Sequence, residues 1–173
     1  MKFINAIFFA AIASARSLVQ PIGPRFDPKF EVPNSVRRLS AQVKDPAFEA
    51  NSTTFQVGSA AVGVAFSSCY QGLLLSQDFS SKTIDVLRGH INQTNVAFDS
   101  LRTVLFEKRP LFINAGQEAC TSVADAAELM HNTYYILGRM MTGVAPKHMN
   151  ETRKATREIL DIIKDIYQAY TDS

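Results

Sequence analysis

The sequence has little net charge, few cysteines and no apolar run long enough to cross a membrane. Its 18 Lys and Arg residues nearly balance 16 Asp and Glu residues, for a formal charge of +2. Such a balance lacks the basic footprint of proteins that bind nucleic acids or anionic membranes. The best later candidate for a span, Ala60–Leu75, is interrupted by Ser67, Ser68, Tyr70 and Gln71. We therefore expect no nucleic-acid partner and no transmembrane segment.

Signatures of catalysis and of metal binding are also missing. The three histidines, His90, His131 and His148, are isolated, and none belongs to an H-x-x-x-H or H-E-x-x-H pattern. No G-x-S-x-G, P-loop or Rossmann glycine pattern occurs. The charged residues map mainly to the outer faces of the expected helices, where solvation accounts for them. We expect a non-enzymatic protein with no catalytic residue, no metal and no cofactor.

The N-terminus has the three parts of a secretory signal peptide. Lys2 supplies the positive charge, Phe3–Ile12 is apolar apart from Asn5, and Ala13–Ala15 is an A-x-A cleavage pattern. The apolar run is too short for a membrane span. Residues 1–15 are therefore interpreted as a signal peptide, and the mature protein is expected to be secreted, either extracellular or in a cell wall.

Cys69 and Cys120 are the two cysteines of the chain, and both lie in the expected mature protein. A pair of cysteines in an oxidising compartment is most simply one disulfide. Closing a loop of about 50 residues stabilises a fold by roughly 4 kcal/mol on the chain-entropy argument. A nucleophilic cysteine needs a lowered thiol pKa, and Glu118 would act in the opposite direction. The sequence therefore predicts a Cys69–Cys120 disulfide.

The mature chain divides into a proline-rich segment and a segment with helical apolar spacing. Five of the seven prolines are Pro21, Pro24, Pro28, Pro33 and Pro46. Such spacing excludes a long helix and favours an extended arm, with room for a short helix near Ser35–Val43. We assign residues 16–50 to this Pro-rich N-terminal arm and residues 51–173 to a helical bundle domain.

Apolar residues recur every three, four or seven positions along four segments of the bundle domain, which is the spacing of a buried helix face. The first stripe comprises Phe55, Ala61, Val64, Cys69 and Leu73. The second comprises Ile84, Leu87, Ile91, Phe98, Leu101 and Leu105. The third, after a helix start at Pro110, comprises Leu111, Ala115, Ala119, Val123, Ala126, Met130, Tyr134, Leu137 and Met141. The fourth comprises Ile159, Ile162, Ile163, Ile166 and Tyr170. The expected fold is all-α, a helical bundle of four to five helices.

Three N-x-S/T sequons begin at Asn51, Asn92 and Asn150, and none contains a blocking proline. In a secreted chain such asparagines are candidate N-glycosylation sites, so we expect a glycoprotein. Asn51 and Asn150 lie near expected helix starts and should be exposed. Asn92 follows Ile91 at the edge of an apolar stripe, so we expect a lower glycan occupancy there.

The apolar stripes have two interpretations. Every helix of a bundle must bury one face, so these residues can simply be core. The stripes also mix methionines, which adapt to irregular contents, with small residues that leave space. A slot for a lipid chain between the helices would be lined by Phe98, Met130 and Leu137, which lie in mid-helix and point inward by periodicity.

The segment from Lys108 to Tyr170 carries a family resemblance. Its matching features are Lys108, Phe112, Ala115-Gly116, an alanine-rich helix to Met141, Val144 and Pro146 in the next turn, and Asp165-Ile166 with Tyr170 in the last helix. This segment resembles the fungal hydrophobic-surface-binding protein A and cell-wall galactomannoprotein family. The resemblance implies a small secreted helical protein, without catalytic residues, that adsorbs to hydrophobic surfaces or holds fatty-acid-like ligands between its helices.

Two functions from different classes follow. The first, implied by the resemblance, is the binding of hydrophobic surfaces or fatty-acid-like lipids at the fungal cell surface. The second is a secreted effector or inhibitor that contacts a host or cell-wall protein. The Pro-rich arm and the cysteine pair favour the second, because neither is typical of the family. A lipid carrier needs an internal void, whereas an effector needs an exposed patch.

Overall fold

A computed structural model describes residues 31–75, 81–144 and 149–171. In chain order the helices are α1 (Val32–Lys44), α2 (Ser52–Leu75), α3 (Ser81–Ala115), α4 (Gln117–Val144) and α5 (Met149–Thr171). The described ranges contain no strand, which confirms the all-α bundle. The predicted signal peptide, residues 16–30 of the proposed arm, Pro146 and His148 lie outside the described residues.

The short helix expected near Ser35–Val43 is α1, with Pro33 in its first turn. Proline suits this position because the first N–H groups of a helix have no partner within it. Val36, Leu39 and Val43 recur at steps of three and four residues and are buried. α1 is therefore a packed member of the bundle, although it lies within the segment that we assigned to the arm.

The five helices of the described residues form a ring in the order α1, α2, α4, α5, α3. Each packs against its two neighbours, and α3 also contacts α4 across the ring. α2 and α4 run in the same direction. Phe66 of α2 lies beside Tyr134 of α4, with ring centroids 5.6 Å apart. Phe55, in the N-terminal part of α2, contacts Phe112 of α3. Phe112 also contacts Tyr170 of α5, and Tyr170 lies close to Cys120 near the start of α4. The ring thus has one end near Phe112, and its other end lies beyond Tyr134.

The middle of the ring is filled by Phe66 of α2, Phe98 of α3 and Tyr134 of α4, all of them buried. Phe66 stacks on Phe98 with ring centroids 6.2 Å apart, and Tyr134 lies 6.4 Å from Phe98. Aromatic pairs of this kind contribute about 0.5–1.5 kcal/mol beyond the area that they bury. This cluster therefore ties together three helices that come from separate parts of the sequence.

A second aromatic cluster closes the end of the bundle near Phe112. The Phe112 ring packs against Phe48, which precedes α2, against Phe55 of α2 and against Tyr170 of α5, at centroid distances of 5.7, 5.9 and 5.5 Å. The Tyr170 hydroxyl donates a hydrogen bond to the backbone oxygen of Leu105, 2.6 Å away. The buried phenol is thereby satisfied, as buried polar groups in folded proteins usually are.

The predicted stripes of α3, α4 and α5 are largely confirmed, since their described side chains are buried except at Leu111 and Ala115. These two exceptions arise because the helix start predicted at Pro110 is wrong. Pro110 lies inside α3, and the helix continues past it to Ala115. The break is at Gly116, whose φ of 104° suits glycine and strains other residues. α4 therefore begins at Gln117.

Polar contacts join α3 to α5 at heptad intervals. They are Arg88–Glu151 at 2.7 Å, Asn95–Glu158 at 3.1 Å and Arg102–Asp165 at 2.9 Å. The two partners differ by 63 positions in every pair, so the two helices run parallel in a constant register. Because seven residues are almost two helical turns, the three contacts lie on one side of each helix. The apolar face of α5 is thereby held against the core.

Candidate functional site

α2 contains no charged residue, although one side of it faces solvent. Val57 is 68% exposed, Val64 is 41% exposed, and Ala61 between them is also exposed. Steps of four and three residues place them in one line, here called the α2 apolar stripe. The prediction that Ala61 and Val64 are buried is wrong, because this side of α2 faces away from α1, α3 and α4, the described helices that α2 contacts. A surface helix normally carries charged residues on such a face.

A groove of about 60 Å³ runs between α2 and α4, here called the α2–α4 groove. α2 contributes Gln56, Ser59, Ala60, Gly63 and Phe66. α4 contributes Ser122, Asp125, Ala126, Leu129, Met130 and Thr133. Small side chains on both helices leave the space, while Phe66 and Met130 are buried and form its floor. The groove borders the α2 apolar stripe, because Val57 and Ala61 directly follow Gln56 and Ala60.

Asp125 is the only charged residue among those that line the α2–α4 groove. Its side chain is half-exposed, and the described part of the chain provides it with no hydrogen bond or ion pair. Every other lining residue is apolar or neutral, and α2 brings no charge to the opposite wall. The site is thus an apolar groove with one carboxylate at its rim.

The predicted ligand contacts Phe98, Met130 and Leu137 do not line one slot. Met130 lies in the floor of the α2–α4 groove. Phe98 is fully buried in the central aromatic cluster. Leu137 lies seven positions after Met130 on α4 and lines a second pocket of about 10 Å³. Of the three residues, the structure therefore places Met130 alone in the groove.

The second pocket lies between α1, α2, α3 and α4. It is lined by Val32, Cys69, His90, Ile91, Thr94, Tyr134, Leu137 and Met141. Its volume suits about one water molecule. Burial raises the pKa of Tyr134, an effect reinforced by Cys69, and raises the pKa of Cys69 to about 12. Burial also lowers the pKa of His90. At neutral pH the thiol is therefore protonated and the imidazole is uncharged.

The predicted Cys69–Cys120 disulfide is wrong, because the structure has no bond between these two buried cysteines. Cys69 lies beside Tyr134, whereas Cys120 is near Tyr170 at the other end of the bundle. Tyr134 and Cys120 are 14 positions apart on α4, which is about 21 Å along a helix. A disulfide needs Cα atoms within about 7 Å. The parallel arrangement of α2 and α4 thus keeps the two cysteines apart.

The three sequon asparagines lie on the surface. Asn92 and Asn150 are exposed, and Asn51 is half-exposed. The Asn51 side-chain oxygen accepts a hydrogen bond from the Thr54 N–H, 2.8 Å away, so it caps the start of α2. A glycan on the Asn51 nitrogen would leave this capping oxygen in place. Glycosylation at all three positions remains a prediction.

Sequence reasoning missed most of the α2–α4 groove, including Ala60, Ala126 and Asp125. Two signals were present. Small residues recur at steps of four on both helices, as Ser59–Gly63 and Ser122–Ala126 illustrate. α2 is also long and entirely uncharged. Neither signal reveals a groove until it is known that α2 and α4 are neighbours.

Comparison of the chain with known protein families, with curated proteins and with solved structures finds no match. Within residues 31–75, 81–144 and 149–171, no helix has the length and apolar character needed to cross a membrane. In the same ranges, His, Cys, Asp and Glu side chains form no group of three or more suited to a metal ion.

Proposed function

We propose that this chain is a secreted, non-enzymatic protein that binds hydrophobic surfaces and alkyl-chain lipids through the α2 apolar stripe and the α2–α4 groove. The observation that carries the proposal is an uncharged helix with one side in solvent. Val57 and Val64 keep apolar area in contact with water, and removing that area from water is favourable. Apolar patches beside a groove are typical of sites that meet an apolar partner.

Secretion and a fungal cell-surface location are supported by sequence features. The predicted signal peptide supports secretion, and the resemblance of Lys108–Tyr170 supports a cell-wall setting. The surface positions of the sequon asparagines are compatible with a glycoprotein. These parts of the proposal are independent of the groove and can be tested by sequencing the N-terminus of the secreted protein.

The shape of the groove favours shallow binding over enclosed carriage. Its volume of about 60 Å³ is smaller than the roughly 150 Å³ of an apolar cavity that binds benzene. A long chain therefore lies along the groove, with one side on Phe66 and Met130 and the other toward solvent or a surface. Affinity is expected to rise by up to about fourfold for each methylene removed from water, until the groove is full.

Adsorption to alkyl-coated beads tests the proposal with a matched pair of variants. Val57→Lys places a charge in the α2 apolar stripe, and Val96→Lys makes the same change at a valine of α3 that is 67% exposed. Val57→Lys should weaken adsorption about tenfold, since burial of a valine side chain contributes about 1.5 kcal/mol. Val96→Lys should leave adsorption unchanged. Equal loss in both variants would show that net charge, and not α2, governs adsorption.

A second exposed apolar patch favours the alternative function, a secreted effector or inhibitor acting through protein contacts. Phe106 and Ile113 lie seven positions apart near the end of α3, on one side of the helix, and are 44% and 46% exposed. Cross-linking to host or cell-wall extracts tests this function. If it is correct, Phe106→Ser and Ile113→Ser abolish a specific cross-link while adsorption to alkyl-coated beads stays unchanged.

A further inference from the structure

We propose that the α2–α4 groove selects alkyl chains with a cationic, hydrogen-bond-donating head group, such as long-chain amines, and discriminates against fatty acids. The head group lies at Asp125, and the chain extends toward Phe66 and Met130. The inference rests on the proposed function, because it names the ligand class that this groove takes. It changes the expectation of a fatty-acid-like ligand that the family resemblance implied.

Charge complementarity is the first argument. α2 is uncharged, and from Gln117 to Gly138 α4 carries Glu118, Asp125 and Glu128 but no lysine or arginine. Asp125 has no ion-pair partner in the described part of the chain. An ammonium group beside this carboxylate makes a charge-assisted hydrogen bond, whereas a ligand carboxylate meets a charge of its own sign.

The hydroxyl groups of the groove are the second argument. Ser59 donates to the backbone oxygen of Gln56 at 3.0 Å, Ser122 donates to that of Ala119 at 2.7 Å, and Thr133 donates to that of Leu129 at 2.8 Å. The single proton of each hydroxyl is therefore engaged within its own helix, and its free lone pairs can only accept.

Acceptors thus dominate the rim of the groove. The carboxylate of Asp125 also accepts, and Gln56 alone among the lining side chains brings N–H donors. A head group that donates hydrogen bonds finds partners here, whereas an acceptor-only carboxylate leaves the rim oxygens unpaired. Both arguments lead to the same ligand chemistry.

The position of Asp125 sets the direction of the chain. Asp125 precedes Met130 by five residues on α4, and Ala60 precedes Phe66 by six on α2. Since α2 and α4 run in the same direction, the apolar floor extends from Asp125 toward Tyr134. A head group at Asp125 therefore places its chain over the two floor residues.

Titration of the full secreted chain with dodecylamine, dodecanoate and dodecanol, each below its micelle concentration at pH 7, tests the inference. Dodecylamine should bind roughly tenfold more tightly than dodecanoate, as expected for one half-exposed charge that attracts the first and repels the second. The ratio should fall toward one as salt is raised. Equal affinity for the two ligands in low salt would overturn the inference.

Two variants assign the preference to Asp125. Asp125→Asn should abolish the amine preference, measured as the ratio of the affinities for dodecylamine and dodecanoate. Glu128→Gln removes the same charge at an exposed position that does not line the groove, and it should retain the preference. A preference that survives in Asp125→Asn, or that Glu128→Gln removes equally, would overturn the assignment.

Dodecanol separates this inference from the proposed function. Dodecanol binding without an amine preference would leave the groove as an apolar site and reject the head-group selectivity. No saturable binding of any of the three ligands would reject both, together with the alkyl-chain part of the proposed function.

Discussion

Gly138 of α4 packs directly against Thr156 of α5. A β-carbon added to residue 138 would lie 3.1 Å from Thr156 Oγ1 and 3.2 Å from Thr156 Cβ, and it would overlap the Thr156 methyl group. These atoms belong to a short β-branched side chain on a helix, which has little freedom to move away. The close approach of α4 and α5 therefore depends on the absence of a side chain at residue 138.

Replacing Gly138 by alanine should destabilise the protein by about 1–3 kcal/mol, the usual cost of overpacking. The change opposes helix propensity, which favours alanine over glycine by about 1 kcal/mol. Gly89→Ala is the matched control, because a β-carbon at residue 89 meets nothing within 4 Å. Thermal unfolding followed by circular dichroism should show a lower Tm for Gly138→Ala and a higher one for Gly89→Ala. A higher Tm in both variants would contradict the packing argument.

Thr156→Val should stabilise the fold by about 1 kcal/mol. The Thr156 hydroxyl is buried and, in the described part of the chain, has no hydrogen-bond partner. Valine keeps the shape of the side chain and removes the unsatisfied group. Thr94→Val provides the contrast, because the buried Thr94 hydroxyl donates to the backbone oxygen of His90 at 2.8 Å. Denaturant unfolding should show opposite changes in the unfolding free energy for the two variants.

The two cysteines should behave as buried thiols. Thiol reagents are expected to react slowly with the native protein, because Cys69 and Cys120 are buried. After unfolding without a reductant, two thiols per chain should be modified, and mass spectrometry can count them. Reducing agent should leave the Tm of the native protein unchanged. The loss of two hydrogen masses in the native chain, with no modification after unfolding, would instead show a disulfide.

Alkaline pH should weaken the fold. The Cys69 pKa is raised by burial from 9.0 to about 12, so the unfolded chain releases the thiol proton at a lower pH than the folded chain does. The contribution of the protonated Cys69 thiol to the unfolding free energy is therefore fully present below pH 9. It is lost as the pH rises from 9 toward 12. Burial raises the pKa values of Tyr134 and Tyr170 as well, which adds a loss of the same sign at higher pH.

The contribution of Cys69 to this pH dependence can be isolated with Cys69→Ala. The variant is less stable at neutral pH, because it leaves a small cavity. Its unfolding free energy should nevertheless fall less steeply between pH 9 and 10 than that of the wild type. An unchanged slope would show that the thiol does not stay protonated in the folded state.

The amino-acid pattern alone predicted the helices and most of their buried faces. The stripe from Ile159 to Tyr170 is buried at each of its five positions, and the short helix near Ser35–Val43 is present as α1. Apolar periodicity is a local property, and burial of one face follows it wherever a helix has a partner. The helix start placed at Pro110 failed for a local reason too, since proline near a helix end is tolerated and Gly116 makes the break.

Tertiary structure alone decided where the candidate functional surface lies. Periodicity assigned Ala61 and Val64 to the core, yet the ring order α1, α2, α4, α5, α3 leaves that side of α2 in solvent. The same order puts Asp125 on the wall of a groove and keeps Cys69 and Cys120 at opposite ends. Sequence spacing defines positions along a helix and around its axis. Which helices become neighbours, and in which direction they run, depends on packing between residues that are far apart in the chain.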